Sequence, residues 1–399
     1  MSIKTTHVGS LPRTKALLEA NTKHANAEIS TQEFNEVLEA EVAGVVKRQK
    51  DIGIDIVNEG EYGHIMQETV DYGAWWFYSF TRLGGIEFED VSTLDGGGQR
   101  LSSPGNVVLT SFEDRRDRKH FADAYADPKS GIYTGGAMTK APVFTNDITY
   151  IGKDATTKDV ELLTKNMAAL GIDEGFMAAI SPGSAARIQD KRYGNEKDLL
   201  NAVADAMHEE YKIITDAGLT VQLDAPDLAE SWDQINPEPT IADYQDWLQL
   251  RVDALNRALE GIDPELVRLH ICWGSWHGPH STDIPFEAIV DQCLQVNAKQ
   301  FSFEAASGRH AHEWKIWKDG KLPAGNQIVP GLVSHSTNIV EHPELVAERL
   351  IRFGELVGPD NVIASTDCGL GGRVHEQIAW AKLETLVEGT EIANKHFGL

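Results

Sequence analysis

The sequence predicts an α/β fold: a single (β/α)8 TIM-barrel domain over residues 1–399 with a long insertion after the second strand. Two observations carry this prediction. Eight short, nearly continuous apolar runs recur along the chain, the form taken by parallel strands buried on both faces. Segments of helical period fill the gaps, and strands alternating with helices imply right-handed crossovers and a parallel sheet. Eight such units favour a closed barrel, with a doubly wound open sheet as the alternative.

In order, the runs are Lys4–Gly9, Ile54–Asn58, Glu174–Ile180, Leu219–Asp224, Val267–Cys272, Gln300–Glu304, Gln327–Val333 and Asn361–Thr366. Ser30 and Glu33 form a capping box ahead of a helix that buries Phe34, Val37, Leu38, Val42, Val45 and Val46. Leu199, Leu200, Val203, Ala206, Met207, Tyr211 and Ile214 mark the helix before the fourth strand. Ile241, Tyr244, Trp247, Leu248, Val252 and Leu255 mark the next. Pro343, Leu345, Val346, Leu350, Phe353 and Leu356 precede the last strand.

Residues 62–153 break the repeat and are read as an insertion over one barrel mouth. They hold an aromatic cluster (Trp75, Trp76, Phe77, Tyr78, Phe80), a turn at Gly96, Gly97 and Gly98, and an accessory strand at Lys140–Ile151. The aromatics serve either local packing or a lid that offers a flat donor ring a stacking surface.

Composition excludes several function classes. Against 36 Lys and Arg stand 61 Asp and Glu, a net charge of −25. Nucleic acid and anionic membrane surfaces need clustered cations and are ruled out as partners. Three cysteines, Cys272, Cys293 and Cys368, do not make a disulfide framework. No apolar run approaches the roughly 18 residues of a membrane span, and the N-terminus lacks an apolar leader. A cytoplasmic protein is expected, and a homo-oligomer is compatible with the sequence.

Polar residues gather where strands end. His270 and Cys272 stand two apart on one strand and therefore share a face. Glu304 ends the sixth strand, and Cys368 follows the eighth before Gly369-Leu-Gly-Gly372. In a barrel, strand ends converge on one mouth. Two Cys, one His and one Glu make a tetrahedral set whose soft thiolates select zinc or copper(I). Plain burial of two cysteines beside an ion-paired Glu304 is the competing reading. Ser10, Glu61, Asp224 and His335 follow other strands.

With these residues in view, the chain resembles the cobalamin-independent methionine synthases, and more narrowly the single-barrel proteins similar to their C-terminal catalytic domain. Thr5-Thr-His-Val-Gly-Ser-Leu-Pro-Arg-Thr14, Gly60-Glu61 with Thr69-Val-Asp-Tyr72, Val221-Gln-Leu-Asp224-Ala-Pro, His270-Ile-Cys272, Glu304, Pro330-Gly-Leu-Val-Ser-His335-Ser-Thr-Asn338 and Asp367-Cys368-Gly-Leu370 are similar to the family's motifs, in order. The resemblance implies methyl transfer to the thiol of homocysteine on Zn2+. His270, Cys272, Glu304 and Cys368 would be its ligands. Glu61 and Asp224 would hold the acceptor's ammonium and Ser10 its carboxylate, while His335 would act as the acid near the methyl donor. Departures bear on the donor. The full-length enzyme carries a second barrel that this length does not accommodate, and Ala225-Pro-Asp227 replaces the family's Glu-Pro-Ala. Folate, a methyl-corrinoid and another alkyl donor all remain open. Relatives on the same scaffold alkylate other thiols, as in epoxyalkane addition to coenzyme M.

Two competing functions are a zinc-free barrel decarboxylase or lyase and a binding protein for zinc or a corrinoid partner. Cys293 reads as core. His277, His280, His310 and His312 read as loop residues or a second metal cluster. His7 reads as a pocket residue, and Arg13 and Lys15 as solvated surface or a seat for an anionic donor tail.

Overall fold

The computed structural model describes residues 2–64, 74–90, 101–132 and 140–399, the side chains of Ala74 and Trp75 excepted. Ten strands are seen among them: β1 Ile56–Val57, β2 Leu83–Asp90, β3 Lys140–Tyr150, β4 Glu174–Ile180, β5 Gln189–Asp190, β6 Thr220–Asp224, β7 Val267–Ile271, β8 Gln300–Phe303, β9 Gln327–Val333 and β10 Ser365–Thr366. Seven of them form one parallel sheet in the order β1-β4-β6-β7-β8-β9-β10. Each sheet strand corresponds to a predicted apolar run.

The predicted first strand makes only an isolated parallel bridge, Thr5 to Ala364. The Thr6 amide donates to the Ala364 carbonyl at 2.8 Å, and the Ile56 amide donates to the Thr5 carbonyl at 3.0 Å. Lys4–Gly9 thus spans from β10 to β1, the two edges of the sheet. The curled parallel sheet is consistent with a TIM-type barrel.

The helices form where the spacing predicts. Thr31–Ile52 begins at the Ser30 capping box and stops at Gly53 in the left-handed region. It buries Phe34, Leu38, Val42, Val45 and Val46, while Val37 packs half-buried at the core edge. Glu196–Asp216 is capped by Asn195 and Ile241–Ala258 by Thr240. Pro343–Val357 starts with Pro at its first turn, where the missing N–H costs nothing. Each fully buried Leu, Val or Phe contributes about 1.5–3 kcal/mol relative to exposure. Cys293 is 1 % exposed and packs in this core. No helix among the described residues is long and apolar enough to cross a membrane.

β2, β3 and β5 form a separate sheet, with β3 antiparallel to β2. The expected accessory strand is therefore present. The aromatics beside it are core residues. Trp76 donates through Nε1 to the Ser184 carbonyl at 3.2 Å and meets Phe80 edge-on. Phe77 is 1 % exposed. The Tyr78 hydroxyl accepts from the Ile180 amide at 2.8 Å and hydrogen-bonds Glu210, and its ring stacks on His64. Local packing occupies these faces, so Trp76 and Phe77 offer no stacking platform to a donor. Trp75's side chain, Gly96–Gly98 and Thr69–Tyr72 lie outside the described residues.

Candidate active site

Parallel register lays the site out in two layers. Asp224 pairs with His270, and His270 with Ser302, at the carboxyl ends of β6, β7 and β8. Two residues earlier, Gln222 pairs with Arg268, and Arg268 with Gln300. Side chains two apart share a face, so a polar floor lies under the Asp224–His270–Ser302 row. Arg268 donates through Nε to Gln300 at 2.8 Å and through Nη1 to Gln222 at 3.2 Å. Burial lowers this guanidinium to about 9, against the pull of Asp224.

The ligating atoms of His270, Cys272 and Cys368 lie within 4.8 Å of one another. His270 Nδ1 is 3.0 Å from Ser302 Oγ, whereas its buried Nε2 has no hydrogen-bond partner. The Cys272 thiol donates to Cys368; that bond holds Cys368 well below the usual thiol range and, with burial, pushes Cys272 well above it. An imidazole facing Cys368, beside two thiols joined by a hydrogen bond, is a candidate donor set for a metal. When Nδ1 donates to the Ser302 hydroxyl, Nε2 is left free to ligate.

The fourth predicted ligand stands in an adjoining group. Glu304, His335 and Asp367 bring their ligating atoms within 4.8 Å of one another, and all three are buried. Glu304 Oε1 accepts from the Trp273 amide at 3.1 Å. Its charge helps to raise Cys272, so it borders the thiol cluster. Burial pushes the Glu304 carboxyl well above its ordinary value and Asp367 to about 6. Asp367 Oδ1 takes the Ala305 and Ala306 amides at 2.7 and 2.8 Å, and its Oδ2 has no partner. Neither ring nitrogen of His335 has a partner, and burial lowers this imidazole to about 4. His335 is therefore neutral near pH 7.

Glu61 and Asp224 form the other half of the site. Glu61 sits at φ +59°, an unusual value for a residue with a side chain. Its Oε1 lies so close to Gly9 that a Cβ there would stand 2.3 Å away, and Gly9 itself has φ +124°. Burial, then Asp224 and Glu59, push the Glu61 carboxyl well above its ordinary value. Burial pushes Asp224 up to about 7. Glu61 Oε2 is buried without a hydrogen-bond partner. Two such carboxyls side by side suit an incoming cation. The Ser10 carbonyl accepts from the Leu370 and Gly371 amides, both at 2.9 Å, so Ser10 is fastened to the loop that carries Cys368.

Other expectations resolve differently. Arg13 is neither solvated nor free for a donor tail, since its Nη2 donates to the carbonyls of Glu61 (2.9 Å) and His64 (2.6 Å). Lys15 is exposed beside Glu19. His7 is tied down: its Nδ1 accepts from the Gly9 amide and its Nε2 meets Gln49 at 2.8 Å. His310 is clasped between Asp283 and Glu313, both at 3.0 Å, which hold it up to about 10 despite burial. His280 joins Asp283 at 3.1 Å, His277 Nε2 lies 3.4 Å from the His335 carbonyl, and His312 is exposed. These histidines form no metal cluster among the described residues.

Ser302, Gln222, Arg268 and Asp367 were missed by the sequence reading. For the first three a signal existed, because each lies two residues before a predicted site residue on the same strand.

The fold and site define an α/β protein of TIM type with a buried Cys/His cluster at the carboxyl ends of its parallel strands. The chain belongs to the cobalamin-independent synthase family, whose catalytic-domain profile matches residues 3–74 and 126–392. It is 23% identical to methionine synthase of Saccharolobus solfataricus over 394 residues, covering 98% of this chain and 95% of that one. It is also 23% identical to 2-hydroxypropyl-CoM lyase of Xanthobacter autotrophicus over 387 residues, covering 90% and 86%. Among solved structures it is similar to a B12-independent methionine synthase from Shewanella sp. W3-18-1, in complex with selenomethionine. The TM-score is 0.68 and the identity 19%, over 100% of this chain and 99% of that one.

Proposed function

We propose that this chain is a zinc-dependent methyltransferase whose acceptor is a small thiol, homocysteine, with methionine as product. The observation that carries this is the juxtaposition of two halves: a His270/Cys272/Cys368 cluster with an unpartnered imidazole nitrogen, and a buried Glu61/Asp224 pair with an unpartnered oxygen. A metal store would need only the first half, and a zinc-free lyase only the second.

His270 Nε2, Cys272 and Cys368 would hold the metal, with Glu304 as the fourth and weakest candidate ligand. Zinc bound there supplies the charge that keeps an incoming thiol deprotonated at neutral pH. Glu61 and Asp224 would lose their protons to solvent and pair as carboxylates with the ammonium, and the backbone and hydroxyl of Ser10 would receive the carboxylate. His335, being neutral, donates its N–H to the atom the methyl group leaves. The donor, whether folate, a methyl-corrinoid or another alkyl donor, approaches on the His335 side.

Segment 62–153 serves this reading as an insertion over the mouth. The family profile leaves residues 75–125 unmatched. Within this stretch Arg115 pairs with Glu230, and Tyr125 accepts from Trp276 Nε1 at 2.8 Å. Glu230 and Trp276 lie on the loops that follow β6 and β7. The 2-hydroxypropyl-CoM lyase relative favours a second reading, alkylation of a thiol such as coenzyme M. Elemental analysis with calorimetric titration of homocysteine and coenzyme M tests both. One zinc per chain and homocysteine binding are expected. Binding of coenzyme M alone would transfer the assignment to the second reading, and a metal-free active enzyme would end both.

A further inference from the structure

We infer that Asn58 and Gln222 are positioning residues that set the span between the acceptor's ammonium and carboxylate, and so select an α-amino acid thiol. The inference rests on the acceptor assigned above. Both side chains are fully buried. Asn58 donates through Nδ2 to the Gly9 carbonyl at 3.1 Å, and its Oδ1 accepts from the Gly60 amide at 2.8 Å. Gln222 donates through Nε2 to the Val8 carbonyl at 2.7 Å and to Asp224 Oδ1 at 2.9 Å.

The two amides thus hold consecutive carbonyls, Val8 and Gly9, immediately before Ser10. Each also grips one side of the carboxylate pair: Asn58 through the Gly60 amide, on the residue before Glu61, and Gln222 through Asp224 itself. The Leu11 amide adds a bond to the Gly60 carbonyl at 3.2 Å. Neither amide can turn over without loss. Gln222 Oε1 accepts from Arg268, and a flip would set its oxygen against a carbonyl and a carboxylate. Asn58 is clamped at its backbone by Gln49, which accepts from its amide at 3.0 Å and donates to its carbonyl at 2.8 Å. The seats for carboxylate and ammonium therefore hang from one two-residue rail, and their separation is built in before substrate arrives.

The test uses Asn58→Asp and Gln222→Glu, each nearly isosteric and lacking the amide donor. Dissociation constants of zinc-loaded protein for homocysteine and for 4-mercaptobutyrate, which lacks only the ammonium, are measured by calorimetry. Wild type is expected to prefer homocysteine. Each variant should lose about tenfold or more of that preference, the scale of one lost hydrogen bond to a charged group, while keeping its zinc. A purely structural role would weaken both ligands alike, so an unchanged preference ratio overturns the inference while leaving the acceptor assignment intact. Equal binding of both thiols by wild type overturns the assignment and the inference together. Thermal melting identifies a variant that fails to fold, and Gln222→Met, which removes the donor without adding charge, then takes its place.

Discussion

Ser302→Ala tests the metal reading without touching a ligand. Ser302 is fully buried, and its hydroxyl lies 3.0 Å from His270 Nδ1. With Nε2 committed to a metal, Nδ1 carries the proton and donates it to Ser302. Alanine removes the acceptor and leaves a buried N–H without a partner, a cost of about 1–3 kcal/mol. At about 1.4 kcal/mol per tenfold, this weakens zinc about 5- to 150-fold, the range typical of such supporting bonds. The assay is competition for zinc with a chromophoric chelator, run beside thermal melting of the metal-free proteins. Unchanged zinc affinity in a folded Ser302→Ala protein would refute the assignment of His270 as a ligand through Nε2.

Further outcomes are expected. Cys272→Ser and Cys368→Ser should each lose zinc by elemental analysis, whereas Cys293→Ser, buried in the core, should keep it. Asp224→Asn should raise the homocysteine KM by about tenfold or more, as for a lost charged hydrogen bond. Asp224 also carries a pH signature. Its carboxyl rises from an ordinary value near 4 to about 7 on folding, so its contribution to stability is full below pH 4 and is lost as pH rises through 7. Relative to wild type, metal-free Asp224→Asn should therefore melt higher at pH 8 than at pH 5. Homocysteine binding at pH 6 should release protons, read by calorimetry in two buffers of different ionisation enthalpy. His335→Asn should slow turnover with zinc and thiol affinity unchanged. In a steady-state comparison at saturating homocysteine, methyl-folate triglutamate should be a poorer donor than a methylated corrinoid, and the reverse result would restore a folate-dependent enzyme.

The sequence made the parallel sheet legible because strands buried on both faces write themselves as unbroken apolar runs. Glu174–Ile180 and Gln327–Val333 coincide with β4 and β9 to the residue. Lys4–Gly9 was harder, since its pairing lies with residues fifty and 360 positions away and leaves one bridge rather than a ladder. His270, Cys272 and Cys368 were recognisable as chemistry at strand ends. The companionship of Glu304 with His335 and Asp367 was not, because it depends on how three different strands finish. Nor did an aromatic run such as Trp76-Phe77-Tyr78 reveal whether its rings face a mouth or a core.

One contact joins the two halves of the site. A Cβ on Gly371 would stand 2.4 Å from Ser10 Oγ, and the Ser10 carbonyl is held by the Leu370 and Gly371 amides. The loop that begins at Cys368 and the loop that ends at Ser10 are therefore one packed unit, free of intervening side chains. A metal bound at Cys368 would thus be in contact, through this unit, with the Ser10 seat. Linkage then makes the effect mutual: the factor by which metal tightens the acceptor is the factor by which the acceptor retains the metal, commonly 5- to 150-fold for coupled sites. On the proposed zinc reading, a cell short of that metal would keep this protein loaded only while its acceptor is abundant.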